Sequence, residues 1–485
     1  MGKRGGIDIF SGNMPFLGGR RIAAEHGATY AEWLTARYGG TGDTDYVGYF
    51  FHRASELMPD SGCIGFIATA AITDGDNRRT VLERLIREGE FEAHAATTGF
   101  PWPGNAQVNI STVHLAKGVC REGISQRVLN GRAVERINSR LRSGDDWPTP
   151  VPLQENNGLA LVGCFLRGEG FILEKAEAHA FLAAHPEEGD VVRPYLVGDD
   201  LNNSLDQSAQ RYVIDFRAMT LDEARGYPHA LAIVEERVRP KRERLKTTGA
   251  DAEHRKHWWR FANVRIELRA RAQAMPRFLA TARVSKRPVF AFVPSTWTPS
   301  EQVVLFPVPT GTAFAVLQSR THRAWINLHA THMGEGLRYS ATDCFAPFPF
   351  PACDPAETIP ALEALGEEVH EMRREFATGR GIGLTETYNA LHDAAATDLA
   401  LKQLRTLHER LDRAVLDSYG WSDVAVPPYC AASDACHDRN HFEDVMAARL
   451  SALNADRAGR IGPTPTKPGR RVRKAKMQKA GPKKA

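Results

Sequence analysis

The chain has 485 residues, 42% hydrophobic and 25% charged, which is enough apolar material for two or three ordinary domains and excludes general disorder. No stretch approaches the ~20 uninterrupted apolar residues of a membrane span, and Met1 to Gly6 is too short and polar for a signal peptide, so the expectation is a cytoplasmic protein with no membrane partner. Seven scattered cysteines argue against a disulfide framework.

Charge is unevenly placed. Lys467 to Ala485 holds nine basic residues and no acidic ones, so a net charge of +4 leaves the body mildly acidic. Nucleic-acid binding by the body would then fall to local patches such as Arg237, Arg239, Lys241, Arg242, Arg244 and Lys246. The tail offers sequence-blind phosphate attraction, or is simply a solvated extension.

In chain order, Gly5 to Gly12 predicts a short strand, followed by a loop at Asn13 and a helix around Ala31 to Tyr38. Cys63 to Thr69 is an apolar run of strand length. Asn77 to Glu88 has helical spacing through Val81, Leu82, Leu85 and Ile86, and Ala106 to Leu115 alternates like a strand. Strand, helix and strand in this order predict part of an α/β sheet, with fewer strands than a full doubly wound domain needs. From Asn156 to Pro351 short strand-like runs take over, at Gly168 to Leu173, Tyr212 to Phe216, Pro288 to Pro294 and Phe314 to Gln318. Long helices are predicted at Ile359 to Thr378 and Thr397 to Tyr419.

The chemistry centres on Asn13-Met14-Pro15-Phe16. An enzyme that modifies the amino group of adenine must extrude the base, accept hydrogen bonds from the amino group and stack on the ring. Here the Asn13 amide oxygen and the Met14 carbonyl are acceptors and Phe16 is a stacking surface. A strand-end turn with a buried Phe explains the same four residues equally well. The motif resembles the [D/N/S]-Pro-Pro-[Y/F/W] signature of amino-methyltransferases, with Met14 in place of the first proline, whose fixed φ would aim that carbonyl.

The flanking blocks extend the resemblance. Ile7 to Gly12, Phe16 to Ile22, and Trp102 to Ala106 with Val108 and Ile110 to Val113 are similar to the methyltransferase core of the MmeI-like, type IIL restriction-modification enzymes. Val192 to Leu201, Tyr212 to Phe216, Trp258 to Phe261, Leu317 to His322, Leu337 to Phe345 and Phe348 to Pro351 resemble that family's target-recognition domain. Leu384 to Asp393 and Leu411 to Trp421 resemble its helical C-terminal region.

The resemblance implies a multi-domain α/β and α+β chain. It has the C-terminal part of a Rossmann-like methyltransferase sheet (1–118), a connector (119–155), a β-rich target-recognition domain (156–351), a helical region (352–425), a variable extension (426–460) and a disordered basic tail (461–485). By resemblance the function is site-specific DNA N6-adenine methylation within restriction-modification, with Asn13, Met14, Pro15 and Phe16 holding the flipped base. The implied partner is double-stranded DNA and the implied cofactor S-adenosylmethionine. The family's glycine-rich cofactor turn stands upstream of the motif, so a separate N-terminal methyltransferase half is an expected further partner. The alternative is a non-catalytic DNA-binding specificity subunit or inactive remnant.

Arg283, Lys286, Arg287, Gln318, Arg320, His322 and Arg323 are the candidate DNA contacts of the recognition region. Trp258 and Trp259 are expected as core anchors. Cys430, Cys436, His437 and His441 offer possible zinc ligands, but adjacent Cys436 and His437 suit one tetrahedral ion poorly, so no metal is expected.

Overall fold

The computed structural model describes residues 7–88, 90–104, 108–333, 336–429 and 435–461. The expected basic tail lies outside them beyond Ile461, as do Cys430 and the side chains of Cys436 and His437. His441 is exposed.

The first unit is a six-stranded sheet in the order β1-β2-β4-β3-β5-β6. Its strands are β1 (Ile9–Asn13), β2 (Gly62–Thr69), β3 (Glu92–Pro101), β4 (Asn109–Lys117), β5 (Arg127–Leu129) and β6 (Arg132–Val134). β1 runs parallel to β2 with Asn13 opposite Ile67, whereas β4 is antiparallel to both β2 and β3. The C-terminal ends of β1, β2 and β3 therefore share one edge with the start of β4. Alternation along β2 buries Ile64, Phe66 and Ala68 and leaves Cys63, Gly65 and Ile67 half-buried on the opposite face. The buried face packs on the helix Tyr46–Leu57 and on the π-helix Arg78–Glu88, through Val47, Phe51, Val81, Leu82 and Leu85.

Between Leu161 and Arg338 the strands are β7 (Leu161–Val162), β8 (Ile172–Glu174), β9 (Val192–Leu196), β10 (Arg211–Ile214), β11 (Arg277–Ala282), β12 (Val284–Ser285), β13 (Phe290–Pro294), β14 (Thr298–Pro299), β15 (Val303–Phe306), β16 (Thr331–Met333) and β17 (Gly336–Arg338). They form sheets ordered β14-β9-β10-β8, β13-β11-β15-β7 and β12-β17-β16. Short helices from Leu221 to Lys256 cover the first of these, and the buried Trp258 and Trp259 anchor them; the Trp259 indole donates to the Met219 carbonyl at 2.9 Å.

Phe314 to Gln318, expected as a strand, belongs instead to the helix Gly311–Gln318. Every residue from Gly311 to Leu317 is buried, so the segment is apolar all round and its sequence carries no amphipathic period. The helix is fixed from both ends of its first turn: the Thr310 hydroxyl accepts from Ala313 N–H, and the Glu363 carboxylate accepts from the backbone N–H groups of Gly311 (2.9 Å) and Thr312 (2.7 Å). Burial alone would raise the Glu363 carboxyl, but these donors hold it below its usual range.

The helices Pro360–Arg380 and Leu399–Ser418 form where the leucine spacing predicts them. With the helix Ala435–Ile461 they share one core with the recognition region, in which Phe306, Phe314, Trp325 and Phe348 meet Val369, Leu411, Val415 and Leu450.

Candidate functional site

The Asn13 motif closes β1 at the sheet edge where β2 and β3 also end. In open α/β sheets, ligands bind outside these carboxyl ends. Asn13 and Pro15 are exposed and Met14 is half-buried against the sheet core beside Phe10. Met14 folds back over Gly12, so that a Cβ there would sit 2.6 Å from the Met14 Cε and push the end of that side chain aside.

Phe16, 36% exposed, and Trp102 form a T-shaped ring contact at a centroid separation of 5.9 Å and 90°. Trp102 follows β3 and its backbone N–H donates to the Val108 carbonyl at 2.9 Å. Trp102 is thus the site residue that sequence reasoning gave no role. Its signal, an aromatic in a block quoted only for resemblance, pointed to no partner.

The loop after the motif is held by Asp45. Its carboxylate accepts from Gly19 N–H at 3.3 Å and from the Thr69 hydroxyl at 3.4 Å, tying the loop to the end of β2. Its own N–H donates to the Asn77 side chain at 2.6 Å. Burial pushes the Asp45 carboxyl up. Gly19 is required here, since a Cβ would lie 2.6 Å from the Thr44 carbonyl oxygen. A cavity of about 430 Å³ opens at the same sheet edge, lined by Thr73, Asn109, Ser111, Arg140 and, from the far side, Asn327 and Glu443.

The seven candidate DNA contacts separate into three groups. Lys286, Arg287, Gln318, Arg320 and Arg323 line one cavity of about 430 Å³ with Tyr388 and Tyr429. Arg283 lines another, of about 460 Å³, with Arg338, Asn202 and Gln302. His322 is fully buried and bonded to the Tyr339 hydroxyl at 3.1 Å, so it cannot reach a ligand. Two of the first group are also committed inward. Gln318 accepts from Phe290 N–H at 3.0 Å, and Arg320 is clamped on buried Asp412. Arg323 donates to Asn327 and to the Lys286 carbonyl, and burial lowers its guanidinium to about 10.

The basic run from Arg237 is likewise thinned. Arg242 is buried on the Leu166 and His254 carbonyls, while Arg237 pairs with Glu177 and Arg239 with Glu243; Lys241, Arg244 and Lys246 stand exposed.

Residues 7–128 match the family profile of the MmeI DNA-methyltransferase domain, and residues 157–352 match that of the MmeI target recognition domain. The chain belongs to the MmeI-like family. Among solved structures this MmeI-like chain is similar to the type IIL restriction-modification enzyme MmeI in complex with DNA, with a TM-score of 0.66 at 17% identity, covering 93% of this chain and 57% of that one. That likeness shows the fold. The type IIG restriction endonuclease BpuSI aligns with a TM-score of 0.30 at 11% identity (93% and 54% covered), and a DrdV–DNA complex with 0.35 at 8% (93% and 57%). The chain thus spans a little over half the length of these proteins. No curated protein matches it. Among the described residues no helix is long and apolar enough to cross a membrane.

Proposed function

We propose that the chain is the base-holding and sequence-reading part of a site-specific DNA N6-adenine methyltransferase of the restriction-modification type. The observation that carries this is the Asn13-Met14-Pro15-Phe16 motif at the carboxyl end of β1, in a segment matching a methyltransferase domain and continuous with a matched target-recognition domain.

In this reading the Asn13 amide oxygen and the Met14 carbonyl accept the two amino hydrogens of an extruded adenine. Holding both keeps the nitrogen lone pair out of the ring and directed at an incoming electrophile. Phe16 stacks on the base, and Trp102 braces Phe16 through their T-shaped contact. Asp45 sets the loop that follows. DNA would be read across the two cavities bearing Arg283, Arg338, Lys286 and Arg287.

S-adenosylmethionine, the cofactor the family implies, would supply the methyl group. The described residues do not by themselves make a cradle for it. β2 runs straight into the tight 3-10 turn Ala70–Thr73 rather than a glycine-rich turn, and the outer edge of β1 has no strand partner among them. Ile9 on that edge is 68% exposed and Ile7 49%. An additional strand covering these two residues, from an upstream methyltransferase half, fits both features.

Transfer of tritiated methyl from S-adenosylmethionine to unmethylated DNA, assayed with the chain alone and with an upstream half added, tests the reading. Adenine labelling that requires both parts supports it. Sequence-specific DNA binding without labelling under either condition would establish the non-catalytic specificity subunit instead, the reading that the Met14 departure favours.

A further inference from the structure

In the recognition region, away from the Asn13 edge, His185, Glu187 and His229 bring one ligand atom each to within 4.8 Å of one another. His185 ends the helix Lys175–Ala184 and its N–H donates to the Phe181 carbonyl at 2.8 Å. His229 opens the helix Pro228–Arg237. The two imidazole rings lie face to face at 3.6 Å and 17°.

A second feature is independent of this proximity. The side chain of Glu188 is buried and His229 Nδ1 lies 2.8 Å from its Oε1. Its two oxygens also accept from the backbone N–H groups of Ala230 (Oε2, 2.8 Å) and His229 (Oε1, 3.1 Å). The bond to Glu188 occupies the Nδ1 side of the His229 ring and leaves Nε2 as the nitrogen that can ligate. A buried carboxylate fixing the tautomer of a histidine is the outer-shell arrangement of metal-ligating imidazoles.

We propose that His185, Glu187 and His229 form a zinc-class divalent cation site, with water in the fourth position and Glu188 orienting His229. Ligand atoms around tetrahedral zinc stand about 3.3 Å apart for bonds of about 2.0–2.1 Å, so the partly exposed His185 ring turns out of the stack to converge with Nε2 of His229. The positive end of the helix Pro228–Arg237 opposes a cation, and the two carboxylates of Glu187 and Glu188 offset both it and the ion's charge. The site staples the end of one helix to the start of the next beneath the sheet β14-β9-β10-β8.

Zinc chloride titrated into the metal-free full chain by calorimetry, with cobalt(II) as the optical probe, tests this. One equivalent binds, cobalt gives tetrahedral d–d bands, and Tm rises by about 3 °C at zinc about a hundredfold above Kd. Affinity falls at least about tenfold in H185A, H229A and E187Q, while the double variant C436S/H437A binds unchanged. H185A and E187Q leave the Glu188 contacts in place, so they decide the matter should H229A not fold. Absence of zinc binding, or binding that survives H185A or E187Q, overturns the proposal.

Discussion

Arg320 and Asp412 form a buried ion pair across 92 residues of sequence: Arg320 donates from its backbone N–H to Oδ1 of Asp412 at 2.7 Å and from Nε to Oδ2 at 2.5 Å. Tyr429 lies under the guanidinium, 4.3 Å from carbon to ring centroid. Arg320 is thus a bolt between the recognition region and the helix Leu399–Ser418. Removing one partner of such a pair leaves the other charge buried, at a cost of about 3–5 kcal/mol. R320A should therefore lower thermal stability sharply in calorimetry. The folded fraction should keep its affinity for DNA.

DNA affinity should respond elsewhere. Alanine at Arg283, Lys286, Arg287 or Arg338 is expected to weaken binding measured by fluorescence anisotropy. A phosphate contact among them reduces the slope of log K against log salt by about 1, whereas a base reader changes the preferred sequence at a cost of about 1–3 kcal/mol.

Gly366 and Gly311 pass so closely that a Cβ on Gly366 would stand 2.0 Å from the Gly311 carbonyl oxygen. Backbone cannot yield as a side chain can. G366A should cost at least about 1–3 kcal/mol in denaturant unfolding, far more than alanine at exposed Gly379 in the same helix, where it meets nothing within 4 Å.

Burial lowers His322 and His408 to about 3. In the unfolded chain both take up a proton near pH 6.5, while the folded chain keeps them neutral until about pH 3. Their contribution is intact above pH 6.5 and lost as pH falls through this window, by about 1.4 kcal/mol per pH unit for each histidine. Urea unfolding of H322Q between pH 7 and pH 5 should show a shallower loss than the parent.

Much of the frame was legible because burial on one face imprints a period. β2, the helix at Ala28–Tyr38 and the leucine-bearing helix Leu399–Ser418 all appear where the spacing puts them. The helix Gly311–Gln318 was hidden because it is buried all round. The fates of Arg320 and His322 were hidden for another reason. A charged or polar residue read alone looks like a surface residue, and its burial depends on partners, Asp412 and Tyr339, that only the fold supplies. The Asn13 motif was visible by residue type. Its brace, Trp102, was not, since the Phe16 contact bridges the ends of two strands that are not neighbours in the sheet.

The central claim concerns Asn13, which is exposed and contributes little to the core. N13A should leave stability unchanged while lowering methyl transfer at least about 100-fold, the scale of losing one well-placed hydrogen-bonding group at a reacting centre. The most direct measurement is modification-sensitive sequencing of DNA from cells carrying the native locus, with its adjoining coding sequence, in parent and N13A forms. The expected result is N6-methyladenine at one recurring site in the parent and its loss in N13A. N6-methyladenine at that site undiminished in N13A, or methylation on cytosine in the parent, would contradict the account.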